Sequence, residues 1–255
     1  VMAIKRFTAT ADTTITNAYA SNLTTRGTGS NMGASDSLEV FSIFGQASTS
    51  SIEKSRILLE FSTDAISTDR TAGSIPASGS VDFYLRLYNA EHPFTVPRDF
   101  TLAIHALSRS WTEGRGLDMD EYVDDDYCNW ISAASSSVCD PLCIGITDWT
   151  TEGGDFHTGS YVVGTLPIYS SHFVEGTEDL QINVTDLVEE WVAAATGSGD
   201  PALNNYGISV MMSGTQEDGS TSRSHYTKKF FARSSEFFYR RPIIEARWDS
   251  SKKDD

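Results

Sequence analysis

Six carboxylates crowd nine consecutive positions in Asp118-Met119-Asp120-Glu121-Tyr122-Val123-Asp124-Asp125-Asp126. Carboxylates this close repel one another unless water solvates them or a hard cation neutralises them. Asp118, Asp120, Asp124, Asp125 and Asp126 are therefore the candidate metal ligands, with calcium as the cation, and a solvated acidic loop is the alternative. The run lacks the fixed Gly and closing Glu of a helix-loop-helix calcium site. No other cofactor is implied.

Hydrolytic chemistry finds less support. Glycoside hydrolysis needs two acids facing across a cleft, one with a raised pKa. Among 35 acidic residues no pair is singled out. His92, His105, His157, His172 and His225 lie outside any nucleophile-elbow pattern. His105 falls within a strand-like run, where a structural histidine is the expectation. Cys128, Cys139 and Cys143 sit in one short region without the paired spacing of a zinc site, which leaves buried thiols or one local bridge. The chain is read as non-enzymatic.

Binding is easier to support, because flat aromatic faces beside polar groups suit sugar rings or partner proteins. Most aromatic residues are needed by a β-sheet core. Tyr122, Tyr127 and Trp130, inside the acidic stretch, are the ones expected to be exposed and to contact a ligand.

Composition narrows the partners. A net charge of -16 and a pI near 4.6 leave no basic stripe for phosphate, so nucleic acid is excluded as a direct partner. No run reaches the roughly 18 apolar residues of a membrane span. Val1 to Phe7 lacks the apolar stretch of a secretory signal, so export is not expected.

These groups need a scaffold, and strand-like runs supply it. Leu38 to Phe44, Ser55 to Phe61, Ser80 to Tyr88, Phe100 to Leu107, Ser160 to Ile168, Asp179 to Val184, Gly207 to Met212 and Ile243 to Trp248 are separated by Gly, Ser, Thr and Asn clusters. In Ser80 to Tyr88, Val81, Phe83, Leu85 and Leu87 share one face, as in a half-buried antiparallel strand. One short helix is expected over Asp186 to Ala195, capped by Asp186, with Leu187, Val188, Trp191, Val192 and Ala195 inward and Gly197 ending it. Pro242 stands where a last strand can begin. The result is an all-β fold: a single jelly roll or β-sandwich over residues 1–255, with one helix, an insertion at about 114–154 and an exposed polar tip over Ser213 to Lys229.

Several short motifs occur in a telling order. They are Ala11-Asp12-Thr13-Thr14-Ile15, Asn31-Met32-Gly33, Ser55 to Phe61, Trp111-Thr112-Glu113-Gly114, Asn205-Tyr206-Gly207-Ile208, and Phe231-Ala232-Arg233-Ser234-Ser235 with Arg241-Pro242. Together they resemble the DNRLRE-type jelly-roll domains, which are similar to carbohydrate-binding modules. The acidic chain opening Met2-Ala3-Ile4-Lys5-Arg6-Phe7 also resembles virion proteins of tailed phages of the marine cyanophage type. That second resemblance implies a capsid-decoration, head-fibre or tail-fibre component, assembled in the host cytoplasm and residing in the virion. Its implied partners are other virion proteins and further copies of itself. The first resemblance implies a surface glycan.

Overall fold

The computed structural model describes residues 2–92, 95–119, 127–134, 147–158, 169–219 and 223–251. The elements run β1 (Met2–Thr8), β2 (Ala11–Thr16), β3 (Ser37–Phe44), β4 (Ile52–Glu60), α1 (Asp64–Thr71), β5 (Asp82–Leu87) and β6 (Phe100–Ala106). They continue with β7 (Ser132–Ala134), β8 (Thr147–Asp148), β9 (Tyr169–Phe173), β10 (Leu180–Asn183), α2 (Thr185–Ala195), β11 (Ile208–Met212), α3 (Thr215–Asp218), β12 (Ser224–Phe231) and β13 (Ile243–Asp249).

Two antiparallel sheets form the sandwich. The smaller has strand order β1-β13-β5-β10, and β1 pairs with β13 from Met2 opposite Asp249 to Thr8 opposite Ile243. The larger has order β12-β3-β4-β11-β6-β9, with β2 also pairing β4. Strand alternation builds the core between them: Phe83, Leu85, Leu87, Ile244 and Ala246 from one sheet meet Leu38, Val40, Ile57, Leu59, Leu102, Ile104, Val210 and Phe230 from the other. Each such buried side chain is worth roughly 1.5–3 kcal/mol.

The middle of β4 is buried on both faces, and the second face explains the insertion. Leu58 points away from the main core into a second cluster with Ile15, Leu107, Trp111, Cys128, Trp130, Ala133 and Trp149. The described parts of 114–154 thus form an outer layer over the larger sheet, with their own short pair β7-β8.

The helix at 185–195 buries Leu187, Val188, Trp191 and Val192, whereas Ala195, expected inward, is exposed in its last turn, and Gly197 takes φ +75° just beyond its end. Its start differs from expectation, since Asp186 does not cap it. Instead Thr185 Oγ1 accepts from the Phe83 amide at 2.8 Å, which ties the helix to β5. It is also not the only helix: α1 joins it through Arg70 and Glu189, and α3 lies within the supposed polar tip.

That tip is the clearest revision. Ser224–Phe231 is a full strand paired with β3, and Tyr226, Lys228 and Phe230 face the core. A lysine at the central inward position breaks the apolar alternation by which such a strand is recognised. The strand expected over Ser160 to Ile168 lies outside the described residues.

Candidate functional site

Of the residues expected to be exposed for a ligand, Trp130 is buried instead. It is 3% exposed, packed in the outer-layer cluster with the Arg56 guanidinium 5.2 Å from its ring centroid. Arg56 itself is buried, donating to Glu217 and to the Gly153 carbonyl at 2.8 Å each. The three outer-layer indoles are consumed by structure, and Trp111 and Trp149 donate to the carbonyls of Tyr206 and Asn129. Tyr127 is half-buried under Arg115, whose Cζ lies 5.5 Å from its ring centroid. Asp118 is exposed beside a cleft of about 580 Å³ shared with Tyr19, Leu23 and Gln46. Tyr122, Asp120, Asp124, Asp125, Asp126, Cys139 and Cys143 lie outside the described residues. Among the described residues, no group of three or more His, Cys, Asp or Glu side chains converges as a metal site.

The motifs that are scattered in sequence converge in space. Glu113 accepts from the Asp12 amide at 2.8 Å and from the Arg233 guanidinium at 2.6 Å, while the Arg233 amide donates to Asp12 Oδ2. Burial pushes the Asp12 carboxyl up to about 7, helped by the charge of Glu113 and opposed by Arg233. Beside this clasp, Asn31 Oδ1 accepts from the amides of Gly33 and Gly116, and its Nδ2 donates to the Cys128 carbonyl at 3.0 Å. Asn31 lies so close to Gly114 that a methyl group there would overlap its side chain. These residues lock the outer layer to β2 and β12, and their role is architectural.

Among the described residues, two surfaces remain for function. On the outer face of the smaller sheet, Glu245 is buried beneath three arginines: Arg6 Nε donates at 2.8 Å, Arg247 Nε at 2.8 Å and Arg86 Nη1 at 3.3 Å. Burial alone would raise the Glu245 carboxyl, but the hydrogen bonds from Arg6 and Arg247 outweigh it and hold the group below its ordinary value. Arg247 lies 4.2 Å from the Tyr84 centroid, and Arg86 5.1 Å from that of Tyr88. With its carboxylate hidden, the centre of this face presents guanidinium edges and tyrosine rings, and Asp82 stands at the rim opposite Arg247.

The second surface is an aromatic ridge on the 3-10 turn Phe238–Arg240. Phe237, Phe238 and Tyr239 are 52%, 59% and 71% exposed. The Phe238 and Tyr239 rings lie 3.8 Å apart, and Phe237 meets Phe231 edge-on at 5.6 Å. The turn is held in place: Ser235 Oγ accepts from the Phe237 amide and the Ser235 carbonyl accepts from Arg241 Nε. Both surfaces left traces in the sequence. Outward positions 245 and 247 carry opposite charges on the last strand, and Phe237-Phe238-Tyr239 is an aromatic run without strand alternation.

No helix among the described residues is long and apolar enough to cross a membrane. In comparisons with known proteins, neither a protein-family model nor a curated protein matches the chain.

Proposed function

We propose that this chain is a non-enzymatic structural component of a phage particle, displayed on the capsid or tail and acting through protein-protein contacts. The observation that carries the reading is the Phe237-Phe238-Tyr239 ridge. Scattered apolar residues are ordinary on a surface, but three adjacent exposed aromatics on a pinned turn are a feature of surfaces that a partner covers. Arg240 and Arg241 flank the ridge, so the matching surface on a neighbouring virion protein is an apolar pocket with an acidic rim. The motif clasp fits a building block, since it spends its charged groups on rigidity. The test is proteomics of purified particles, followed by assembly with Phe238→Ala and Tyr239→Ala. The protein is expected in wild-type particles, and both variants are expected to fold but to incorporate poorly. Particles that lack the protein would exclude this role.

The arginine and tyrosine face favours a second reading, a glycan-binding module. Guanidinium pairs recognise carboxylate or sulfate groups, and tyrosine rings stack on sugar faces. A glycan array with Arg86→Ala and Tyr84→Ala as controls separates the two readings. Binding of acidic glycans that both variants abolish would favour the module.

A further inference from the structure

Lys228 is 1% exposed, on a strand whose neighbouring inward side chains are aromatic. Its Nζ lies 5.0 Å from the Phe173 centroid and 5.1 Å from that of Phe230. There it donates to the carbonyls of Gly176 at 2.9 Å and Glu178 at 2.7 Å, and to the side-chain Oδ1 of Asn89 at 2.6 Å. Asn89 lies two residues beyond the end of β5 of the smaller sheet, whereas Lys228 belongs to β12 of the larger one. A buried amine thus rests against a carboxamide one bond from the carbon it could attack, in a pocket with apolar walls.

Asn89 is held in that position. Its amide donates to Asp179 Oδ1 at 2.8 Å, and its backbone bridges to Phe230, two residues from the lysine. Glu178 and Asp179 are the carboxylates whose charge acts on the ammonium, and Glu178 Oε2 is buried without a hydrogen-bond partner among the described residues. Reacting groups held within about 3.5 Å behave as though present at very high concentration. Burial also favours the neutral amine, the form that is nucleophilic, and brings Lys228 down to about 8.

We propose that Lys228 and Asn89 form an intramolecular isopeptide bond that joins the two sheets of the sandwich covalently. Lys228 Nζ attacks Asn89 Cγ, the new C–N bond forms, and the Cγ–Nδ2 bond breaks. Two protons of the lysine ammonium leave with the departing nitrogen, so one ammonium ion is released for each ammonium consumed, and no oxidant, metal or further reactant takes part. Asn89 is half-buried, which gives the ammonia a way to solvent.

The experiment is intact mass spectrometry of the denatured chain after the folded protein has been incubated at mildly alkaline pH, followed by peptide mapping. The expected result is a mass lower than the sequence mass by one ammonia, with a branched peptide linking Asn89 to Lys228. Asn89→Ala and Lys228→Arg are each expected to keep the full mass for their sequence. An unchanged wild-type mass overturns the proposal. So does ammonia loss without the branched peptide, which would mark a succinimide at Asn89. The wild-type measurement decides even if a variant fails to fold.

Discussion

Arg233 donates from its guanidinium to Glu113 at 2.6 Å, although 120 positions separate the two in the chain. The same Glu113 carboxylate also receives the Asp12 amide, and Arg233 returns its own amide to the Asp12 carboxyl. Three motifs therefore close one partly buried loop of charge around the buried Asp12. Such a network costs desolvation, and its return is that the outer layer, β2 and the end of β12 can meet in only one register.

The clasp makes stability depend on pH in an unusual direction. Asp12 sits at about 7 in the folded chain, against about 3.9 for an unfolded aspartate. Between those values the folded state holds a proton that the unfolded state lacks, so this contribution is complete below the unfolded value and is lost as pH rises through 7. The loss is at most roughly 1.4 kcal/mol per pH unit. Urea unfolding across that window is expected to show the decline for the wild type and a flatter profile for Asp12→Asn.

Asn31 is expected to matter more than its polarity suggests. Asn31→Ala leaves two amides and a carbonyl buried without their partner, at a cost of about 2–4 kcal/mol. Gly114→Ala drives a methyl group into the Asn31 side chain and is expected to cost about 1–3 kcal/mol. Chemical denaturation of both variants measures this, and near-neutral values would mean that the interlock contributes little.

Trp130 separates packing from binding. Trp130→Ala removes a buried indole and a face for Arg56, with an expected loss of about 3–5 kcal/mol. Thermal melts should report a large drop. Wild-type stability combined with lost ligand binding would return Trp130 to the role that its sequence context suggested.

Glu245→Ala leaves three arginines facing one another, and roughly 3 kcal/mol of stability is expected to go with it. Because the Glu245 carboxyl lies below its ordinary value, its contribution is present above about pH 4.3 and fades as pH falls through the folded value. An acid titration of wild type against Glu245→Gln is expected to show the acid limb only in the wild type.

Much of the scaffold was legible because strands announce themselves by alternation. β5 and β6 repeat it most plainly, and α2 carries its apolar stripe and closing glycine. β12 escaped because its central inward residue is a lysine satisfied by three oxygens, a solution that hydropathy cannot register. The outer layer escaped for a related reason. An aromatic residue in a polar stretch suggests exposure, but Trp130 is covered by residues that only the fold brings near, among them Leu58 and Arg56. The arginine and tyrosine face needed the register of β1, β5 and β13 together, because Arg6 and Glu245 meet across 239 positions.

The position of β13 sets a timetable for synthesis. It lies between β1 and β5, so among the described strands β1 finds its sheet partner only once Ile243–Asp249 has been translated. The smaller sheet must then close late, and through contacts of very long sequence separation, which predisposes the protein to slow folding. Until that moment the apolar inner face of β5 needs temporary cover, and the nascent chain is a natural client for a holding chaperone.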